Sequence, residues 1–433
     1  MKIKTKALSY DAVLALPRHK KFHPKRPNIL FRTLLKAVSL PELFSVGFKC
    51  KKIGMERLGK KEPAVFLMNH SSFIDLKIAA STLYPRAFNI VTTTDGFVGK
   101  NMLMRNLGCI PTNKFVFDFA LLRNLQNAVK KNSCSVLMYP EACYSFDGKA
   151  TTLGENLGKF IKLMGVPLVM IRTYGAFSRD PLYNNLQKRK VKVSADMEYL
   201  LSADEIREKS ADEIQSLIEE QFSFDGFRWQ AQNGILIDEP FRADGLNRVL
   251  YKCPHCLSEG KMLGKGVKIT CGECGGTHTL SENGTLIGDG ADSKFEFVSD
   301  WYTWEREQVK RDIDSGSYEM SLDVDIAILR DSRCLYSVGD GTLTHNENGF
   351  TLYGCDGKLS YSQKPLATYT LNSDFFWYEM GDVIAIGDND ILYYCFPKNA
   401  GDVVAKARLA TEELYKKAKQ RVRVTDQTKA LTN

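Results

Sequence analysis

The sequence predicts an α/β domain, then a small four-cysteine module, then a β-rich domain closed by a single helix. Three observations carry this reading. Short apolar runs alternate with amphipathic stretches between about residues 63 and 225, the pattern of strands and helices in layers. Two C-x-x-C pairs follow, at Cys253/Cys256 and Cys271/Cys274. From about residue 292, strict alternation such as Met320, Leu322, Val324, Ile326 and Ile328 marks half-buried strands. The 433-residue length suits several domains. We divide them as a basic N-terminal segment (1–62), the α/β domain (63–225), the cysteine module (248–288), the β-rich domain (292–420) and a polar tail (421–433).

The N-terminal segment holds 16 Lys plus Arg against 4 Asp plus Glu up to Glu62, an excess of 12 that outweighs the chain's overall net charge of +8. Within it, Asn28 to Leu40 reads as a helix with Ile29, Leu30, Phe31, Leu34, Leu35 and Val38 on one face. Arg32, Thr33, Lys36 and Ser39 fall on the other. A basic amphipathic helix of this kind suits a membrane interface. Packing of the apolar stripe on the next domain is the competing reading. In the α/β domain, strands are expected at Ala64–Met68, Asn89–Thr93, Ser135–Tyr139 and Val166–Arg172. Helices are expected at Asn101–Leu107, Phe117–Lys131, Glu155–Met164 and Ala203–Glu220. Ser202 with Glu205 and Ser210 with Glu213 have the spacing of capping boxes.

The chemistry concentrates after the first of these strands, in Asn69-His70-Ser71-Ser72-Phe73-Ile74-Asp75. Ser71 and Ser72 offer N-cap oxygens for a helix beginning near Phe73, with Asp75 one turn in. Asp75 can then accept a hydrogen bond from one ring nitrogen of His70, leaving the other nitrogen to act as a base on a hydroxyl. Such a pair needs no nucleophile of its own if the substrate brings one.

Three further blocks follow: Gly108-Cys109-Ile110-Pro111-Thr112-Asn113-Lys114, Tyr139-Pro140-Glu141-Ala142-Cys143-Tyr144-Ser145, and Val166-Pro167-Leu168-Val169-Met170-Ile171. In this order and at these intervals the four blocks resemble the glycerolipid acyltransferases of the 1-acylglycerol-3-phosphate acyltransferase type. The resemblance covers about residues 28 to 225. It implies transfer of a fatty acyl group from acyl carrier protein or acyl coenzyme A to a lipid hydroxyl, 1-acylglycerol 3-phosphate or a related lysolipid, in membrane phospholipid synthesis. His70 and Asp75 are then the catalytic pair, and Pro140, Glu141 and Ser145 belong to the acceptor site. The chain departs from the family where Lys114 replaces the arginine of the second block. It departs again where Ala142, Cys143 and Tyr144 replace Gly, Thr and Arg in the third. The missing arginine is associated in the family with the acceptor phosphate, which tyrosine cannot grip bidentately. Lys114 and Arg172 are the candidate replacements. A catalytically degenerate scaffold, working through its later domains, is the alternative these departures keep open.

Fourteen residues separate the two cysteine pairs. Four thiolates on two tight turns can surround one ion tetrahedrally, so Cys253, Cys256, Cys271 and Cys274 are expected to hold a structural zinc. The module resembles a zinc ribbon, with a hairpin at Thr279–Leu286. Four sulfurs leave no open coordination position, which argues against catalysis by the metal. The last domain, with many short strands, a hairpin signal at Asn348-Gly349 and one helix at about Asp402–Gln420, resembles a pleckstrin-homology-like barrel.

Composition bounds the setting. Hydrophobic content of 44% and charged content of 25% are those of a globular protein. No apolar run approaches the roughly 20 residues that span a bilayer. No signal peptide is visible, and eleven cysteines without export point to a reducing compartment. A cytoplasmic protein, peripherally bound to the inner face of the membrane, fits these features. No nucleic-acid partner is expected, since the ribbon lacks an adjoining basic cluster.

Overall fold

The computed structural model describes residues 2–17, 22–113, 118–289, 294–398 and 402–432, with side chains described through Arg423. Near its start, strand β1 (Thr5–Ala7) pairs in parallel with residues 335–337 of the last domain, Thr5 lying opposite Leu335. Helix α1 (Tyr10–Leu14) follows. Helix α2 (Ile29–Ser45) begins where Asn28 Oδ1 accepts the Leu30 amide at 2.9 Å. It runs past the expected end at Leu40 and through Pro41. The expected apolar face divides. Leu30, Leu34 and Val38 are 69%, 54% and 57% exposed, forming a stripe at i, i+4 and i+8. Phe31 and Leu35 are half-buried, and Leu43 is buried.

The α/β domain is built from strands β2 (Lys49–Ile53), β3 (Val65–Met68), β4 (Phe88–Thr93), β5 (Cys109–Thr112), β6 (Ser135–Met138), β7 (Leu168–Tyr174) and β8 (Ser194–Leu201). They form one sheet in the order β2-β8-β7-β3-β6-β4-β5. Its neighbours are parallel except β7 and β8. The central parallel strands β3 and β6 are short and mostly apolar because both faces are covered. Phe66 and Met68 of β3 point into one core with Ile74, Ile78 and Leu83. Val65 and Leu67 point into the other with Ile161, Ile214 and Ile218.

The helices are α3 (Asp75–Leu83), α4 (Asn101–Leu107), α5 (Phe119–Lys130), α6 (Leu157–Met164), α7 (Ala176–Arg179), α8 (Ala203–Glu208), α9 (Ala211–Phe222) and α10 (Gly226–Gln232). The single helix expected over 203–220 is two, because the second capping box, Ser210 with Glu213, starts a new helix after Lys209. Strands β2, β5 and β8 were not foreseen. β2 is a sheet edge made mostly of lysines, and β5 carries a proline.

The cysteine module folds as an antiparallel sheet of β9 (Met262–Lys265), β10 (Lys268–Cys271), β11 (Thr277–Leu280) and β12 (Leu286–Gly288). Helix α11 (Val298–Ser315) leads to β13 (Met320–Leu329), β14 (Leu335–Asn346), β15 (Gly349–Gly354), β16 (Leu359–Gln363), β17 (Asn372–Trp377), β18 (Gly381–Gly387) and β19 (Leu392–Pro397). Among the described residues these form a sheet in the order β16-β15-β14-β13-β19-β18-β17, with β1 added against β14. Helix α12 (Val403–Thr432) closes the domain. It continues through the stretch expected to be a polar tail, where no Gly or Pro stops it. Phe146 and Phe177 of the α/β domain, Cys253 and Ile269 of the module, and Trp301, Phe375 and Leu409 of the last domain share one apolar core.

Candidate active site

His70 lies where the chain leaves the C-terminal end of β3, in the middle of the sheet. In such sheets the crevice at the carboxyl ends of the strands is where ligands bind. Asn69 clips the loop to β7. Its Oδ1 accepts the Thr173 amide at 2.8 Å, and its Nδ2 donates to the Thr173 carbonyl at 3.3 Å and to Ser71 Oγ at 3.0 Å. Helix α3 begins at Asp75, not near Phe73, so Asp75 is its first residue rather than one turn in. The serines do not cap the helix as expected; the carboxylate instead caps the loop. Asp75 Oδ2 accepts the amides of Ser71 at 2.8 Å and Ser72 at 3.1 Å. Ser72 Oγ accepts weakly from the Ile74 amide and donates to Asp180.

That same Oδ2 lies 3.2 Å from His70 Nδ1. Asp75 is buried, which pushes its carboxyl up to about 7 against the pull of the Ser72 and Ser71 amides. The imidazole is thus oriented by an acid that is itself fixed by backbone. His70 is only half-buried. Its ring is sandwiched between Tyr139, with centroids 4.1 Å apart, and Tyr144, at 3.8 Å.

Glu141 holds the loop from the neighbouring strand. Its Oε2 accepts the His70 amide at 2.6 Å and its Oε1 the Thr151 amide at 2.9 Å. Burial pushes its carboxyl up to about 8, although both amides favour the charged form. The Ser145 amide donates to the His70 carbonyl at 3.1 Å, so both backbone polar groups of His70 are tied to the third block. A base held at a parallel-strand end by a buried carboxylate can take a proton from a hydroxyl brought by a substrate.

Residues 49–173 match the acyltransferase family model. They are an acyltransferase domain. Among solved structures, the chain is similar to the 1-acyl-sn-glycerophosphate (LPA) acyltransferase PlsC from Thermotoga maritima, at 16% identity. That likeness covers 44% of this chain and 76% of the other, with a TM-score of 0.36. No curated protein matches the chain.

In the acyltransferase domain, the described sequence-predicted residues fall into three groups, with Lys114 apart from them. His70, Asp75 and Glu141 come together as described. Pro140 and Ser145 lie in the adjoining turn but face inward. The Pro140 carbonyl accepts from Tyr369 Oη at 2.9 Å, and Ser145 Oγ donates to the Lys149 carbonyl at 2.6 Å. Arg172 is not brought to the histidine. Strand alternation places it with Leu168 and Met170, whereas the His70–Tyr139 stack adjoins the core on the other face. Its guanidinium is bonded to Gln221 at the end of α9, to the carbonyl at 3.1 Å and to Oε1 at 2.9 Å. Lys114 lies outside the described residues.

The substitutions in the third block have structural counterparts. Ala142 sits at φ 57°, the left-handed region, where the family pattern has glycine. Cys143 Sγ lies 3.8 Å from Thr370 Oγ1. Tyr144 occupies the family's arginine position and stacks on the His70 ring. Tyr139, Thr151 and the partners from residues 369–412 were missed by the sequence reading. Tyr139 stood in plain view as the residue before Pro140, but nothing local signals a partner two hundred residues away.

The four cysteines of the module form the metal-ligand cluster among the described residues, their sulfurs all within 4.8 Å of one another. Cys253 Sγ is 3.6 Å from Cys274 Sγ, and Cys256 Sγ is 3.7 Å from Cys271 Sγ. Tetrahedral zinc with Zn–S near 2.3 Å requires edges of about 3.8 Å, so the donor set fits that ion.

Proposed function

We infer that this chain moves a fatty acyl group from the thioester of acyl carrier protein or acyl coenzyme A to the hydroxyl of a lysolipid, serving membrane phospholipid synthesis. The observation that carries this is His70 Nδ1 at 3.2 Å from a buried Asp75 whose carboxylate is fixed by two amides. Asp75 keeps the proton on Nδ1, so Nε2 is the basic nitrogen. Nε2 takes the acceptor's hydroxyl proton as the oxygen attacks the thioester carbonyl. The tetrahedral intermediate collapses, the C–S bond breaks, and the leaving thiolate recovers the proton from the imidazolium. Asp75 stabilises that cation without itself taking the proton. Glu141 acts by fixing the backbone of His70.

The acceptor is a lysolipid whose recognition does not run through an arginine in the third block. Tyr144 stands there, and Arg172 is committed to α9. Any phosphate on the acceptor would be met by other cations, with Lys114 as the sequence candidate. Access to the bilayer fits the outward stripe of Leu30, Leu34 and Val38 on a basic helix. Among the described residues no helix is long and apolar enough to cross a membrane. The net positive charge suits an acidic carrier protein or anionic headgroups. The zinc of the ribbon would be structural, and the strand order with its closing helix supports the pleckstrin-homology-like reading of the last domain.

The test is transfer of labelled acyl chains from both donors over a panel of acceptors that includes 1-acylglycerol 3-phosphate. Wild-type transfer is expected, falling on the order of 10²–10⁴-fold or more in His70→Ala. Arg172→Ala is expected to leave the acceptor preference unchanged. A folded His70→Ala protein with near-normal turnover ends this reading.

A further inference from the structure

The third block of the acyltransferase domain is gripped from the far end of the chain. Tyr369 Oη donates to the Pro140 carbonyl, Thr370 Oγ1 touches Cys143 Sγ, and Phe375 stacks on Phe146 with centroids 4.0 Å apart. Arg408 of α12 is the centre of this contact. It is buried, and its guanidinium lies 3.3 Å from the centroid of the Phe146 ring. Nη1 donates to the Tyr144 carbonyl at 2.9 Å. Nη2 donates to the Ser373 carbonyl at 2.6 Å, and Nε to Ser373 Oγ at 3.1 Å. One rigid fork therefore ties the backbone of Tyr144 to Ser373 near the start of β17, and the Tyr144 ring lies on His70.

We propose that Arg408 is a positioning residue of the transfer centre, fixing Tyr144 so that its ring holds the His70 imidazole at the angle set by Asp75. The proposal rests on His70 being the base of the reaction inferred above. The reason for a clamp is visible in the block itself. Ala142 takes a left-handed conformation that glycine tolerates better, so the turn carrying Tyr144 is not fixed by local preference. A buried, planar, permanently charged donor to two carbonyls is the group that can fix such a turn from outside. Its neighbours are fixed too. Glu412, one turn further along α12, accepts from Thr370 Oγ1 at 2.7 Å and from Thr152 Oγ1 at 3.0 Å, and pairs with Arg306 at 2.6 Å. Helix α12 thus touches both sides of the turn that presents Glu141 and Tyr144. A stacked tyrosine restricts ring rotation of the imidazole and favours its cationic form through the ring face. Both effects matter at the moment of proton transfer and little for binding.

The experiment uses the full chain with its six histidines labelled in the ring. The His70 signals are identified by their loss in His70→Gln. A tyrosine stacked at this distance shifts them strongly by its ring current. In Arg408→Gln the His70 signals are expected to move towards the values of an unstacked ring. Turnover should fall on the order of tenfold to a hundredfold with little change in KM, as for a small misplacement of a catalytic group. Arg408→Lys, which keeps the charge but not the two-carbonyl fork, should fall between. It is also the variant to read if Arg408→Gln does not fold. Tyr144→Leu, which removes the stacked ring itself, should resemble Arg408→Gln. Unchanged His70 signals in a folded Arg408 variant overturn the proposal, whatever the turnover. If the wild type transfers no acyl group to any acceptor, the functional reading fails instead, and the ring signals still decide whether Arg408 sets the stack.

Discussion

The carboxylate of Glu141 is where the His70 loop meets its strongest electrostatic demand. Burial raises its carboxyl from 4.5 to about 8, and Asp75 is raised in the same direction to about 7. The native state therefore holds protons that the unfolded chain has already released. Stability is lost as pH rises from about 4.5 through about 8, because the native state binds more protons across that window. Melting temperatures from pH 5.5 to 8.5 should fall in the wild type, and part of that slope should vanish in Glu141→Gln. An identical slope in both proteins would show that Glu141 ionises without cost. Ala142 carries a second residue-scale expectation. A left-handed alanine costs roughly 1–2 kcal/mol, partly offset by the entropy a glycine loses on folding. Ala142→Gly should leave stability unchanged or raise it by up to about 1 kcal/mol in denaturant melts. A clear loss would mean that the alanine methyl is itself packed. At this scale the sequence was informative where chemistry is local. The spacing of His70 and Asp75 placed the pair, but not the direction of the cap. Arg172 looked available only because a strand residue's face cannot be read until its register is known.

Elements were legible in proportion to their periodicity. Helix α4 falls on Asn101–Leu107 as expected, and both capping boxes form with reciprocal bonds. The edge strand β2 escaped because pairing with β8, not an apolar pattern, makes it a strand. The four-cysteine cluster was the most readable feature, since residue identity and spacing alone bring its sulfurs together. Protein made with zinc available should carry about one zinc per chain by elemental analysis. Chelation should speed amide exchange first over residues 253–288, because the binding energy of such a site is folding energy. Metal-free protein with unchanged exchange in that region would leave the cysteines as ordinary thiols.

At the scale of the whole molecule, the domain boundaries that the sequence suggests are weaker than they look. Phe146 and Phe177 share a core with Trp301, Phe375 and Leu409, and Asp95 of the acyltransferase domain accepts from Tyr378 at 3.1 Å and Tyr394 at 3.4 Å. A chain cut after residue 291 keeps every family block yet exposes this core. It should aggregate or lose its cooperative melt, and it should lose transfer. A soluble truncate with native melting and full turnover would show the last domain to be an appendage. Strand β1 sharpens the point, because Thr5–Ala7 completes a sheet whose partner residues are Leu335–Ser337. During synthesis, at about 5–20 residues per second, the first strand emerges tens of seconds before its partner exists. Through that interval Thr5–Ala7 has no strand to pair with, so this contact can form only after most of the chain has been made.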